Sequence, residues 1–342
     1  MLANQLTPEA SVCRKSANSL RLRYKILIGL LAVLLVGPFL IPVNTSGTLT
    51  KEQAAEEVWG SESKFVELAG QEVHYVTAGD PTSKRLIVLL HGFGASAFSY
   101  KDVLQPLGEI GYVIAYDRTG FGFTDRPTSW AGENPYGIEG QLSLLDELVT
   151  EFGANKEVVI LGHSAGGNVA ASYAEQFPEK VQKLILFAPA VGLAGAPGSG
   201  ISWIFDIPQI DHLGPLLVST IATSGLDLLY ESYVDDSKIT DAVLAGYTAP
   251  LKVAGWEKAF WLFNKAPRSN GVGERISEIS MPTLVITGDA DTVVPTADSE
   301  AVAQKIAGAK LVIIAGTGHL PNEEKPEEFA TEVIKFLEEV GQ

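Results

Sequence analysis

The 342-residue chain is 46 % apolar and 19 % charged and carries a net charge of −16. This composition excludes disorder as a description of the whole, and the length allows one large α/β domain or two ordinary ones. The acidic balance argues against nucleic acid as a partner, since phosphate contacts need clustered Lys and Arg, and the single cysteine, Cys13, excludes an internal disulfide or a Cys-based metal site.

Residues 1–25 form a basic tail: Arg14, Lys15, Arg21, Arg23 and Lys25 stand against one acid, Glu9. Without that tail the rest of the chain is near −20, which also disfavours broad docking on anionic lipid. From Ile26 to Val43 the sequence reads ILIGLLAVLLVGPFLIPV, 18 residues without a charge. Such a run is a transmembrane candidate at the short end of the range, with Pro38 and Pro42 positioned to kink its last turns. A cleaved signal peptide is the other reading, but no A-x-A cleavage pattern follows. The positive flank predicts a single-pass anchor with a cytoplasmic N-terminus and the remaining domain across the membrane, or a secreted domain if the segment is cleaved. Asn44-Thr45-Ser46 matches a glycosylation acceptor pattern. Residues 44–62 read as a polar linker.

Strand and helix signals alternate from there. Lys64–Ala69 and Glu72–Thr77 flank Gly70, as in a hairpin. Arg85–Leu90, Gly111–Tyr116, Glu157–Leu161, Lys183–Phe187, Thr283–Thr287 and Lys310–Ile314 are continuous apolar runs, expected of strands buried on both faces. Ile138, Leu142, Leu145, Val149 and Phe152 lie on one helical face, as do Phe329, Val333, Phe336, Leu337 and Val340. The alternation predicts a mostly parallel central sheet with helices on both faces, its sites at the carboxyl ends of the strands. Residues 63–190 and 280–342 would form this core. Residues 191–279 lack a clear buried strand, start Gly/Pro-rich (VGLAGAPGSG) and carry helical stretches rich in Trp, Phe and Leu; they read as an inserted helical cap.

The strongest chemical signal is Gly162-His163-Ser164-Ala165-Gly166, a G-x-S-x-G pattern between the strand EVVIL and the helical NVAASYAEQF. In that context the glycines permit a sharp turn exposing the Ser164 hydroxyl, and the helix N-terminus faces the site where negative charge develops. A serine needs a base. Of the five histidines, His74 sits in a hairpin strand, His91 opens the loop after RLIVLL, His163 is inside the turn, and His212 is in the cap. His319, in the glycine-flanked loop after the last apolar run, has the right position. TGDADTVVP follows the strand TLVIT and offers Asp289 and Asp291 as the acid that holds the base, in the order Ser, Asp, His.

These motifs, together with HGFGAS (91–96), DRTGFGFTDRP (117–127), GDADTVVP (288–295) and GTGHLP (316–321), make the chain from about residue 64 onward resemble the α/β-hydrolase superfamily. The resemblance implies Asp291 rather than Asp289 as the acid, and backbone N–H groups of Phe93 and Ala165 as oxyanion donors. It also implies that Ser164 sets the chain apart from the dehalogenases and epoxide hydrolases of the fold, which use aspartate. It leaves ester hydrolysis beside C–C bond hydrolysis and cofactor-free haloperoxidase-like chemistry. No metal or organic cofactor is called for. Asp117 and Arg118 are expected to pair with each other in an architectural loop. The apolar cap suggests a small apolar acyl substrate. A membrane-tethered binding protein without catalysis is the reading from a different class.

Overall fold

The computed structural model describes residues 8–43, 46–192, 202–219, 221–268 and 270–339. Eight strands form one sheet: β1 (Lys64–Leu68), β2 (Gln71–Ala78), β3 (Arg85–Leu90), β4 (Tyr112–Tyr116), β5 (Glu157–His163), β6 (Lys183–Phe187), β7 (Thr283–Gly288) and β8 (Lys310–Ile314). Their order is β1-β2-β4-β3-β5-β6-β7-β8. The pairs made by β2 are antiparallel and all others are parallel.

Both faces of the sheet are covered, which explains the unbroken apolar runs. Along β3, Leu86, Val88 and Leu90 join one core cluster while Ile87 and Leu89 join the other, the two-residue alternation of a pleated strand. The first cluster is closed by the helix Ile138–Phe152, through Leu142, Leu145 and Val149, and by the helix Ser164–Gln176. Phe329, Val333 and Leu337 of the helix Pro326–Glu338 close the second. Truncating such a buried Leu to Ala costs roughly 2–5 kcal/mol.

The run Lys310–Ile314 departs from expectation. It forms the edge strand, with Leu311 39 % and Ile313 41 % exposed. An edge strand has a neighbour on one side only, and its apolar run here is not covered on both faces.

The chain reverses its direction of winding at β3, which pairs with both β4 and β5. Ligand crevices of open α/β sheets lie at such a point, outside the strands' carboxyl ends. Leu90 is in register with Gly162, so the loop after β3 and the turn after β5 lie side by side.

Between β6 and β7 the described residues form helices, among them Pro208–Ser219, Asp241–Thr248 and Trp256–Lys265. Most of the Gly/Pro-rich stretch that opens this insertion lies outside the described residues. Trp256, Trp261 and Val218 form a small core of their own, and the Trp261 indole N–H donates to Asp211 Oδ1 at 2.8 Å.

At the N-terminus the helix Pro8–Val36 runs on into a 3-10 turn, Gly37–Leu40, with Pro38 in its first turn. Arg21–Leu40 is long and apolar enough to cross a membrane and none of it is buried. The end of this segment meets the insertion: Gln209 Nε2 donates to Leu35 O at 3.0 Å, and His212 lies against Phe39 and Ile41 O. The stretch expected to be a plain polar linker contains the helix Lys51–Trp59, started by a capping box of Thr50 and Gln53. Ser46 ties it to the insertion through Glu257 and Trp256. Asn44 and Thr45 of the glycosylation pattern lie outside the described residues.

Candidate active site

Ser164 is the first residue of the helix following β5 and has φ +50°, a left-handed conformation that side chains rarely adopt. The flanking glycines make that turn possible by close approach. A Cβ on Gly162 would lie 2.6 Å from Gly166 O, and one on Gly166 would lie 2.5 Å from the carbonyls of Leu90 and His91. The turn therefore sits directly against the loop after β3.

His319 lies in the loop after β8 and Asp291 in the loop after β7. His319 Nδ1 is 2.8 Å from Asp291 Oδ2. The other oxygen, Oδ1, accepts the N–H groups of Val293 and Val294, both at 2.9 Å. An ionised carboxylate only accepts, so Nδ1 carries the proton and Nε2 is left as a lone-pair acceptor. Ser164 and His319 line the same cavity. Asp289 is exposed and accepts the N–H of Gly316 at 2.7 Å, holding the neighbouring turn. The structure thus brings Asp291 to His319 and leaves Asp289 in a turn.

His163 borders the same cavity as Ser164. Its ring stacks on Phe187 at 4.3 Å and its Nε2 donates to His319 O at 3.1 Å, so it supports the backbone of the candidate base. Burial, and then the nearby His319, push its pKa well below the ordinary value.

Asp117 and Arg118 do not pair with each other. Asp117 Oδ2 meets His74 Nδ1 at 2.7 Å and the Phe123 N–H at 2.8 Å, and Oδ1 accepts the Ala97 N–H at 2.7 Å. Successive side chains at the end of a strand leave on opposite sides, and Arg118 reaches the other way. Its Nη2 donates to Gly92 O at 3.0 Å. The same carbonyl accepts His91 Nδ1–H at 2.8 Å, while His91 Nε2 accepts the Arg118 backbone N–H at 3.0 Å. Burial, then Arg118, lower the His91 pKa to about 3, so the ring is neutral at ordinary pH. Two buried donors thus fix the plane of the trans peptide whose N–H belongs to Phe93. Neither role was legible in the sequence, because both are side chain to backbone contacts between separate loops.

A second support comes from an unremarked acidic pair. Glu324 accepts the N–H groups of Gly318 at 2.5 Å and Val234 at 2.8 Å. Glu323 accepts Lys101 Nζ at 2.7 Å and the hydroxyls of Tyr233, at 2.8 Å, and Tyr247. His319 N donates to Ser232 O at 2.8 Å. The insertion is therefore bound to the loop carrying His319.

The cavity shared by Ser164 and His319 measures about 240 Å3 and is mostly apolar, with Phe121, Leu226, Leu229, Trp256 and Phe260 in its wall. A second cavity of about 260 Å3 adjoins Ser164 and is lined by both Phe93 and Ala165. Among the described residues no three His, Cys, Asp or Glu side chains are grouped to hold a metal ion.

Residues 87–332 match the model of the alpha/beta hydrolase family. The chain belongs to the α/β-hydrolase family. It is 27 % identical over 283 residues to a monoacylglycerol lipase of Xenopus laevis, covering 81 % of this chain and 82 % of the lipase. It is also 27 % identical over 292 residues to a 2-hydroxy-6-oxononadienedioate/2-hydroxy-6-oxononatrienedioate hydrolase of Pseudomonas putida, covering 80 % of this chain and 96 % of that protein. Among solved structures, that of a membrane phospholipase A described as a bacterial virulence factor shares the fold, with a TM-score of 0.63 at 23 % identity. That match covers 95 % of this α/β-hydrolase chain and 98 % of the phospholipase.

Proposed function

We propose that this α/β-hydrolase is a serine hydrolase that cleaves carboxylic esters of apolar acyl groups through an acyl-enzyme. The observation that carries the reading is the hydrogen-bonded Asp291–His319 pair, whose base lines the same apolar cavity as the strained Ser164. In this reading His319 Nε2 takes the Ser164 proton as Oγ attacks the acyl carbon. The N–H groups of Phe93 and Ala165 hold the resulting oxyanion, aided by the positive end of the helix beginning at Ser164. His319 then gives its proton to the leaving alkoxide. Water activated by the same ring releases the acid and restores Ser164.

The apolar cavity wall and the likeness to a monoacylglycerol lipase support an acyl chain as the part bound there. Arg21–Leu40 serves as a single-pass anchor in this reading, with a cytoplasmic N-terminus and the hydrolase domain on the opposite side, because the positive flank precedes the span. That arrangement keeps the site close to hydrophobic substrates. Hydrolysis of a C–C bond is the second reading, and the likeness to the Pseudomonas putida enzyme favours it. A p-nitrophenyl ester series separates the two. Rising kcat/KM from acetate to longer acyl chains, with a burst of p-nitrophenol equal to the enzyme concentration, supports the acyl-enzyme reading. Preference for acetate over longer chains contradicts the apolar acyl pocket.

A further inference from the structure

The second cavity differs in chemistry from the first. The two share Phe93, Ser164 and Val293, so they meet at the candidate nucleophile. Besides Ser164 and Tyr136, whose hydroxyl donates to Pro127 O, the polar side chains of the second are Arg118, Gln141, Asn168 and Arg268, drawn from separate segments of the chain. Gln141 is 3 % exposed and both of its amide atoms lack a hydrogen-bond partner. Asn168 is 1 % exposed; it donates Nδ2–H to Arg268 O at 3.2 Å, while its buried Oδ1 has no partner. Buried amides are nearly always satisfied, so two unsatisfied ones in the wall of one cavity beside a nucleophile point to a ligand.

The charge pattern says what kind. The chain has 41 acidic residues, yet none of the described residues lining either cavity is Asp or Glu. Arg118 and Arg268 line the second cavity, and Arg126 the first. Arg126 is committed to the carbonyls of Gly122, Pro250 and Val253. Arg118 makes no ion pair with a carboxylate among the described residues; beyond Gly92 O, its guanidinium lies over the Phe121 ring at 5.1 Å. Burial lowers its pKa only to about 10, so it stays charged at neutral pH. The first turn of the 13-residue helix Ser164–Gln176 adds its positive end at Ala165. A buried cation without a counter-ion is unfavourable, and an anion in this cavity would relieve it.

We propose that the second cavity binds an anionic group, a carboxylate or a phosphate, carried by the substrate on the leaving-group side of the scissile ester. Arg268 and the unpartnered Gln141 Nε2–H groups donate to it, Arg118 adds positive field, and the Asn168 Oδ1 is left to accept a hydroxyl of the same substrate. The inference rests on the serine hydrolase reading and deepens it: the acyl chain lies in the apolar cavity and the anionic alcohol on the other side of Ser164. A neutral polyol would satisfy the amides but leave the buried Arg118 guanidinium without an opposite charge among the described residues.

The test uses the full chain in detergent at about 0.15 M salt, where the negative protein surface is screened. Lauroyl esters of glycerol, glycerol 3-phosphate and glycolate are compared as neutral, phosphate and carboxylate arms. Wild type is expected to favour at least one anionic ester over the neutral one by about tenfold or more in kcat/KM, mainly through KM, as for a charge-assisted hydrogen bond. The better arm names the source. Arg268→Gln and, separately, Gln141→Leu are each expected to reduce that ratio by about tenfold. Competition by free glycerol 3-phosphate or glycolate against wild type, with glycerol as control, gives the same answer if a variant does not fold. A ratio near one in wild type, or a ratio unchanged in both variants, overturns the anionic subsite. Failure of wild type to hydrolyse p-nitrophenyl laurate overturns instead the serine hydrolase reading beneath it.

Discussion

Asp291→Asn is the most informative single substitution. The Asp291 carboxylate accepts the N–H groups of Val293 and Val294 through one oxygen and His319 Nδ1–H through the other. Asparagine can keep the two backbone bonds with its carbonyl oxygen. It then turns an NH2 toward Nδ1, and the imidazole must move its proton to Nε2 to accept it. The nitrogen that should deprotonate Ser164 is then a donor, and the base is lost although every atom is near its old place. Wrong-tautomer substitutions of this kind cost about 10⁴ in kcat, or roughly 5.5 kcal/mol of activation free energy. Because the loop keeps its backbone bonds, the fold is expected to lose only about 1–2 kcal/mol. The assay is steady-state hydrolysis of p-nitrophenyl butyrate from pH 6 to 9, beside a thermal melt. Asp289→Asn is the control: its side-chain oxygen still accepts the Gly316 N–H, and kcat should stay within about threefold of wild type, as for an exposed position away from the site. A drop at Asp289 with full activity at Asp291 would refute the reasoning.

Arg118→Met removes one of two buried donors to Gly92 O and should lower kcat by about 10²-fold with little change in KM, the size of an impaired oxyanion donor, read from kcat and KM separately. Glu324→Ala leaves the N–H groups of Gly318, Val234 and Asp235 without their acceptor and should cost about 3–5 kcal/mol, measured by denaturant unfolding. The neutral, buried His91 has a folded pKa of about 3, below its ordinary unfolded value. Between these values the unfolded chain holds the extra proton, so stability contributed by His91 is complete above about pH 6.5 and falls by up to about 1.4 kcal/mol per unit as pH drops toward 3. Chemical denaturation of His91→Gln should show a correspondingly shallower acid limb than wild type.

Much of the sheet is legible locally because β3, β6 and β8 coincide with the apolar runs read from the sequence. The Ile138–Phe152 helix is equally legible, since its apolar stripe is what the sheet buries. The order of the strands is not legible: β2 lies beside β4, and β3 between β4 and β5, through contacts between distant segments. The Lys51–Trp59 helix escaped because its short sequence has few apolar residues, although Thr50 and Gln53 spell a capping box. In the candidate site, Ser164 is marked by its turn and His319 by its loop. The supports are hidden for a physical reason. Arg118 acts on a carbonyl 26 positions away, and Glu323 and Glu324 look like an ordinary solvated charge run until the insertion is packed on them. The second cavity draws polar side chains from Arg118, Gln141, Asn168 and Arg268, which no local pattern unites.

The central claim is that Ser164 is an activated nucleophile. Labelling of the full chain with a fluorophosphonate probe measures this directly, because the probe reacts with a serine only when a base has activated it. Wild type is expected to label stoichiometrically at Ser164, with ester turnover lost in step, while Ser164→Ala takes up no probe and loses about 10⁶-fold in kcat. Unlabelled wild type, or a Ser164→Ala protein that labels and turns over normally, would contradict the account.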